Sequence, residues 1–143
     1  MTTEPVSILL VEDNPDHAAL VIRGLKSNLI ANCITHVEDG EAALDYVLKR
    51  GPYVDAPTPH LILLDLRLPK VDGLEVLKIL KDNDDTKRIP IVILTTSDAE
   101  RDVARAYDYH ANSYMVKPVT FESFMELTKT LGFYWLVYNK QLE

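Results

Sequence analysis

Short apolar runs that break off at polar or acidic residues place the tightest limit on this chain's fold. Residues 6–11 run into Glu12, Asp13, Asn14 and Pro15; residues 61–64 read Leu-Ile-Leu-Leu and meet Asp65; residues 91–94 read Ile-Val-Ile-Leu and are closed by Thr95. Each run is too short for a buried helix and lacks the polar alternation of a half-exposed strand, so each reads as a strand buried on both faces. Cys33–Val37 and Ser113–Val116 read as two further strands. Strands buried on both faces need helices above and below them. The pattern predicts a five-stranded parallel sheet, doubly wound, in a single α/β domain.

The stretches between the runs supply those helices. Asn14 can cap a helix that starts at Pro15, where the missing N–H costs nothing. Ala18, Val21, Ile22, Leu25 and Leu29 then recur at three- and four-residue spacing. Asp39-Gly40 opens a second helix with Ala43, Leu44, Val47 and Leu48 on one face. Asp72 and Glu75, spaced as a capping box, open a third with Val76, Leu77 and Leu80 inward. Residues 98–109 form a weaker helix, and Thr120 can cap a last one. Residues 50–60 carry Gly51, Pro52, Pro57 and Pro59 and read as a surface loop.

Composition narrows the function. The chain has 143 residues, which suits one domain, and a formal net charge of −7 with its Lys and Arg scattered. A nucleic acid or an anionic membrane would repel that surface, so neither is expected as a direct partner. No apolar run reaches the length of a membrane span, and residues 1–5 have no signal-peptide character. The single cysteine, Cys33, excludes an internal disulfide. These features point to the cytoplasm.

In open parallel sheets the working site lies beyond the carboxyl ends of the strands. That rule gathers Glu12, Asp13, Asp65, Thr95 and Lys117 into one place. Three carboxylates crowded together repel one another and call for a counter-charge. A few hard oxygen ligands suit Mg²⁺, which keeps several waters and accepts a phosphate oxygen. Phosphoryl transfer to a carboxylate needs an in-line nucleophile, a metal, and donors around the equatorial oxygens. Asp65 supplies the nucleophile. Asp13, and Glu12 through water, hold the metal. Lys117 is a point charge that pairs first with the Asp65 carboxylate and later with a phosphoryl oxygen. Thr95 offers a hydroxyl to another oxygen. Singly, each residue has a plainer reading: a solvated loop acid, a helix cap, a β-branched strand residue. Those readings do not easily account for all five positions together.

The segments Leu9-Leu10-Val11-Glu12-Asp13-Asn14, Leu63-Leu64-Asp65-Leu66-Arg67-Leu68-Pro69, Asp72-Gly73, Thr95 and Tyr114-Met115-Val116-Lys117-Pro118 resemble the receiver domains of two-component response regulators. Order and mutual spacing match across residues 5–128. The resemblance implies a flavodoxin-like (CheY-like) fold, with Asp65 as phosphoacceptor and Glu12 and Asp13 as the acidic pair. It adds the backbone carbonyl of Arg67 as a metal ligand. Thr95 becomes the switch hydroxyl, and Tyr114 the aromatic that turns inward when Thr95 moves toward the phosphoryl group. Arg67 and Ser97 lie where that family tunes the phosphoryl lifetime. The implied role is regulatory rather than enzymatic: the chain takes a phosphoryl group from a sensor histidine kinase and signals by binding.

The end of the chain departs from a simple last helix. Phe133, Tyr134, Trp135 and Tyr138 make residues 129–143 apolar nearly all round. Such a segment either folds back on the core or forms an interface; the interface reading, a two-fold homodimer, is preferred. The proline-bearing loop and this aromatic end resemble the stand-alone response regulators that serve bacteriophytochromes, which tend to dimerise through this end. No effector domain is expected after it.

Other classes fit less well. An aspartate-nucleophile phosphatase needs a second acid two residues after the nucleophile, where Arg67 stands. A flavin module needs a phosphate-cradling loop after the first strand, where Glu12-Asp13 would repel phosphate. A phosphorylation-independent scaffold does not need Asp65, Thr95 and Lys117 together.

Overall fold

The unbroken apolar runs do form strands. The computed structural model describes residues 7–27, 33–95, 110–116 and 122. Its strands are β1 (Ser7–Val11), β2 (Cys33–Val37), β3 (Leu61–Asp65), β4 (Ile91–Thr95) and β5 (Ser113–Val116). They form one parallel sheet in the order β2-β1-β3-β4-β5. Every residue of β1 and β3 is buried, whereas β2, at the sheet edge, buries only Val37 fully.

Strand side chains alternate between the two faces of the sheet, so the same runs build two cores. Ile8, Leu10, Leu61, Leu63, Val92 and Leu94 pack against Ala18, Val21 and Leu25 of α1 (Pro15–Ser27). Leu9, Val11, Ile62, Leu64, Ile91 and Ile93 pack against α2 (Gly40–Val47) and α3 (Gly73–Asp82). Helices therefore cover both faces, and the doubly wound single domain expected from the runs is the one observed.

The caps fall where the sequence places them. Asn14 Oδ1 accepts from the backbone N–H groups of Asp16 at 2.9 Å and His17 at 3.2 Å. Asp39 Oδ1 accepts from Ala42 N at 2.7 Å, and Asp72 Oδ2 accepts from Leu74 N at 3.3 Å. Glu75 lies in the first turn of α3, where a negative charge complements the helix dipole.

The loop before β3 is more structured than its prolines suggest. It contains a 3-10 turn at Gly51–Tyr53, and Tyr53 meets Tyr46 of α2 edge-on with ring centroids 5.3 Å apart. At its end, His60 N donates to Ser7 O and Ser7 N donates to His60 Nδ1, which aligns the entry of β3 beside β1. Val6, Leu29, the helix expected at residues 98–109 and the helix expected from Thr120 lie outside the described residues. No helix among the described residues is long and apolar enough to cross a membrane.

Strand order decides where a site can form. The chain winds outward from β1 in one direction to β2, then crosses to β3 and continues the other way. Loops on either side of that reversal diverge and leave a crevice at the carboxyl ends of β1 and β3.

Candidate functional site

Three carboxylates meet in that crevice. Glu12 and Asp13 follow β1, Asp65 ends β3, and one oxygen from each lies within 4.8 Å of the others. Their environments differ. Glu12 is fully buried and Asp65 is 8% exposed, while Asp13 faces solvent. A buried carboxylate persists only when its oxygens have partners.

Glu12 is held at four atoms. Its N–H donates to Val37 O at 3.1 Å, and its carbonyl accepts from His36 Nε2 at 2.8 Å. Its Oε2 accepts from Asn14 N at 3.2 Å. His17 Nδ1 stands 3.8 Å from Oε1, an ion-pair distance when the ring is protonated. This rules out Glu12 as an ordinary solvated loop acid. The two histidines were not legible as site residues. Nothing in their sequence positions marks them, since His36 reaches Glu12 only through the β1–β2 register, in which it lies opposite Leu10.

Asp65 is oriented by its own loop. Its Oδ1 accepts from Arg67 N at 3.2 Å. Gly73 N donates to Leu66 O at 2.9 Å, and a Cβ on Gly73 would stand 2.1 Å from Asp65 O. Only glycine lets α3 start this close to the backbone of Asp65. The Arg67 side chain is exposed.

The donor set fits a small hard cation. Octahedral Mg²⁺ with bonds of about 2.1 Å separates neighbouring ligand oxygens by about 3 Å and opposite ones by about 4 Å. Oxygens already within 4.8 Å of one another need little movement to reach that geometry. Solvent at Asp13 leaves room for the waters that Mg²⁺ retains.

The other expected residues are placed in part. Thr95 closes β4 opposite Val116 of β5, one residue beyond the Asp65–Leu94 pair, so its backbone lies at the same strand edge. Its side chain lies outside the described residues, as do Lys117, Phe133, Tyr134, Trp135 and Tyr138. Tyr114 lies on β5 opposite Ile93, and its half-buried ring packs on the core shared with α2 and α3.

Comparison with known proteins agrees with this geometry. The response regulator receiver domain matches residues 8–129. The chain is 44% identical over 138 residues to the probable methanogenesis regulatory protein FilR2 of Methanothrix harundinacea, covering 96% of this chain and 88% of that protein. It is 42% identical over 132 residues to the response regulator Rcp1 of Synechocystis sp., covering 92% and 90% of the two; a crystal structure of the Mn²⁺-bound form of Rcp1 superposes with a TM-score of 0.77. The bacteriophytochrome response regulator AtBRR superposes with a TM-score of 0.85 at 44% identity, covering 93% of this chain and 96% of that one. Crevice, acidic cluster and family match converge: the chain belongs to the response regulator receiver family and works in two-component phosphorelay signalling.

Proposed function

We propose that Asp65 is the phosphoacceptor, that Glu12, Asp13, Asp65 and the carbonyl of Arg67 form the Mg²⁺ site, and that a sensor histidine kinase supplies the phosphoryl group. The observation that carries this reading is the convergence of three carboxylates within 4.8 Å at the point where strand order reverses. The Mn²⁺-bound form of Rcp1 supports a divalent ion in such a pocket, and AtBRR supports a bacteriophytochrome as the kinase.

Bound there, Mg²⁺ supplies charge neutralisation for the crowded carboxylates and for the incoming phosphoryl oxygens. A carboxylate oxygen of Asp65 attacks phosphorus as the bond to the kinase histidine breaks, and the electron pair leaves with the imidazole. Arg67 N already holds Asp65 Oδ1, which fixes the carboxylate while its other oxygen reacts. Lys117 pairs with Asp65 before transfer and with a phosphoryl oxygen after it. Thr95 donates its hydroxyl to another oxygen, and Tyr114 turns into the space Thr95 leaves. The new charge selects between two existing states of the surface around β5. Apart from taking up and hydrolysing its own phosphoryl group, the protein catalyses nothing.

Residues 5–128 form the receiver, and residues 129–143 extend its last helix as a dimer interface through Phe133, Tyr134, Trp135 and Tyr138. The protein works in the cytoplasm, contacts neither nucleic acid nor membrane directly, and passes its signal by protein binding. Incubation with acetyl phosphate and Mg²⁺, followed by intact mass, tests the central assignment. Wild type should gain one phosphoryl group and Asp65→Asn none; an adduct that persists in Asp65→Asn would overturn it.

A further inference from the structure

The loop between β3 and α3 carries Arg67, whose N–H holds the Asp65 carboxylate. One end of that loop is pinned where Gly73 meets Asp65 and Leu66. Its tip is pinned from a different part of the chain, the start of α2. Gly40 N donates to Pro69 O at 3.3 Å, and a Cβ on Gly40 would stand 1.9 Å from Val71 O. Between those two contacts, Val71 N donates to Pro69 O at 2.8 Å and closes a three-residue turn about Lys70. Lys70 has a φ of 68°, a left-handed conformation that an L residue adopts only at a cost and that glycine would take freely. Lysine stands there nonetheless, and its Nζ reaches Asp39 Oδ2 at 3.6 Å. The other oxygen of Asp39 caps α2 through Ala42 N.

We infer that Asp39, Gly40 and Lys70 are positioning residues for the phosphoryl site: they clamp the strained tip of the β3–α3 loop onto the N-terminus of α2 and so fix Arg67 and the Asp65 carboxylate. None of the three touches the reacting atoms. Each acts through the loop. A strained turn persists where its surroundings over-determine it, and the surroundings here are one close backbone approach, one hydrogen bond and one ion pair. The half-exposed ion pair contributes little to stability, so its effect falls on the placement of the loop rather than on folding energy.

The inference rests on Asp65 being the phosphoacceptor, and the two fail differently. Phosphorylation by acetyl phosphate with Mg²⁺ is timed by intact mass, Mg²⁺ affinity is measured by calorimetry, and stability is measured separately by chemical unfolding. Gly40→Ala should slow phosphorylation about tenfold or more and weaken Mg²⁺ binding, because displacement of a positioning element by an ångström has that scale of effect. If Gly40→Ala does not fold, the ion pair decides. Lys70→Met should slow phosphorylation about threefold with an unfolding midpoint close to wild type, and Lys70→Arg should restore the rate. A folded Gly40→Ala with wild-type rate and metal affinity, or Lys70→Met and Lys70→Arg with equal rates, overturns the clamp while leaving Asp65 in place. Absence of any adduct on wild type removes the phosphoacceptor reading and the clamp with it.

Discussion

At the scale of single residues, the three clustered acids differ in burial. Asp13 keeps a solvated face and Asp65 is almost enclosed, whereas Glu12 is sealed from water and held by Asn14, Val37 and the His36 ring. With Oε2 and Oε1 already serving Asn14 and His17, Glu12 is left to act on the proposed Mg²⁺ site from behind the direct ligands. Replacing it with glutamine keeps the shape and removes the charge. Glu12→Gln should therefore weaken Mg²⁺ about tenfold by calorimetry, as outer-shell substitutions do; unchanged affinity would exclude Glu12 from the metal environment. That Asp13 and Asp65 would lie close together was readable from the apolar runs they follow. The anchors of Glu12 were not, because a histidine on β2 reaches its backbone carbonyl and a histidine on α1 its carboxylate only through strand register and helix placement.

At the scale of elements, the ends of the strands away from the site have their own tie. Lys81, in the last turn of α3, donates from Nζ to Lys87 O at 3.1 Å, Ile89 O at 2.9 Å and Asn112 Oδ1 at 2.8 Å. The same Asn112 oxygen accepts from Ile91 N at 2.9 Å, so one lysine joins α3 to the entries of β4 and β5. Burial pushes its pKa below the ordinary value of 10.5. The direction sets a sign. Just below pH 10.5 the unfolded chain holds more of this proton than the folded protein does, so stability contributed by Lys81 rises with pH across that window. Wild type should gain stability relative to Lys81→Met as pH climbs toward that value, read from denaturant midpoints at successive pH values. A constant difference between the two would contradict the burial account. The capping residues Asn14, Asp39 and Asp72 were visible in the sequence because capping is local. The Lys81–Asn112 tie was not, since its partners are 31 residues apart and packing decides the meeting.

At the scale of the whole molecule, one sheet serves two cores. Leu63 belongs to the core under α1 and is fully buried. Leu63→Ala should cost about 3 kcal/mol by denaturant unfolding, the lost transfer energy plus the cavity it leaves. The aromatic end of the chain raises a separate question of assembly. On the proposed homodimer, wild type should show a dimer mass by light scattering and Trp135→Ala with Tyr138→Ala a monomer mass. An unaltered dimer mass would place the interface elsewhere.

The sequence alone determined the class of fold and which acids meet at the end of the sheet. Runs without alternation require a sheet covered on both faces, and parallel strands require their loops, and so Asp13 and Asp65, at one edge. These are short-range consequences of residue order. Tertiary structure decided the rest: the sealing of Glu12, the seat of Gly73 against Asp65, and the hold of Gly40 and Asp39 on the loop tip at Lys70. Each depends on how closely backbones approach between elements far apart in the chain. Hydrophobic pattern prescribes which elements pack together, and close packing decides which atoms meet.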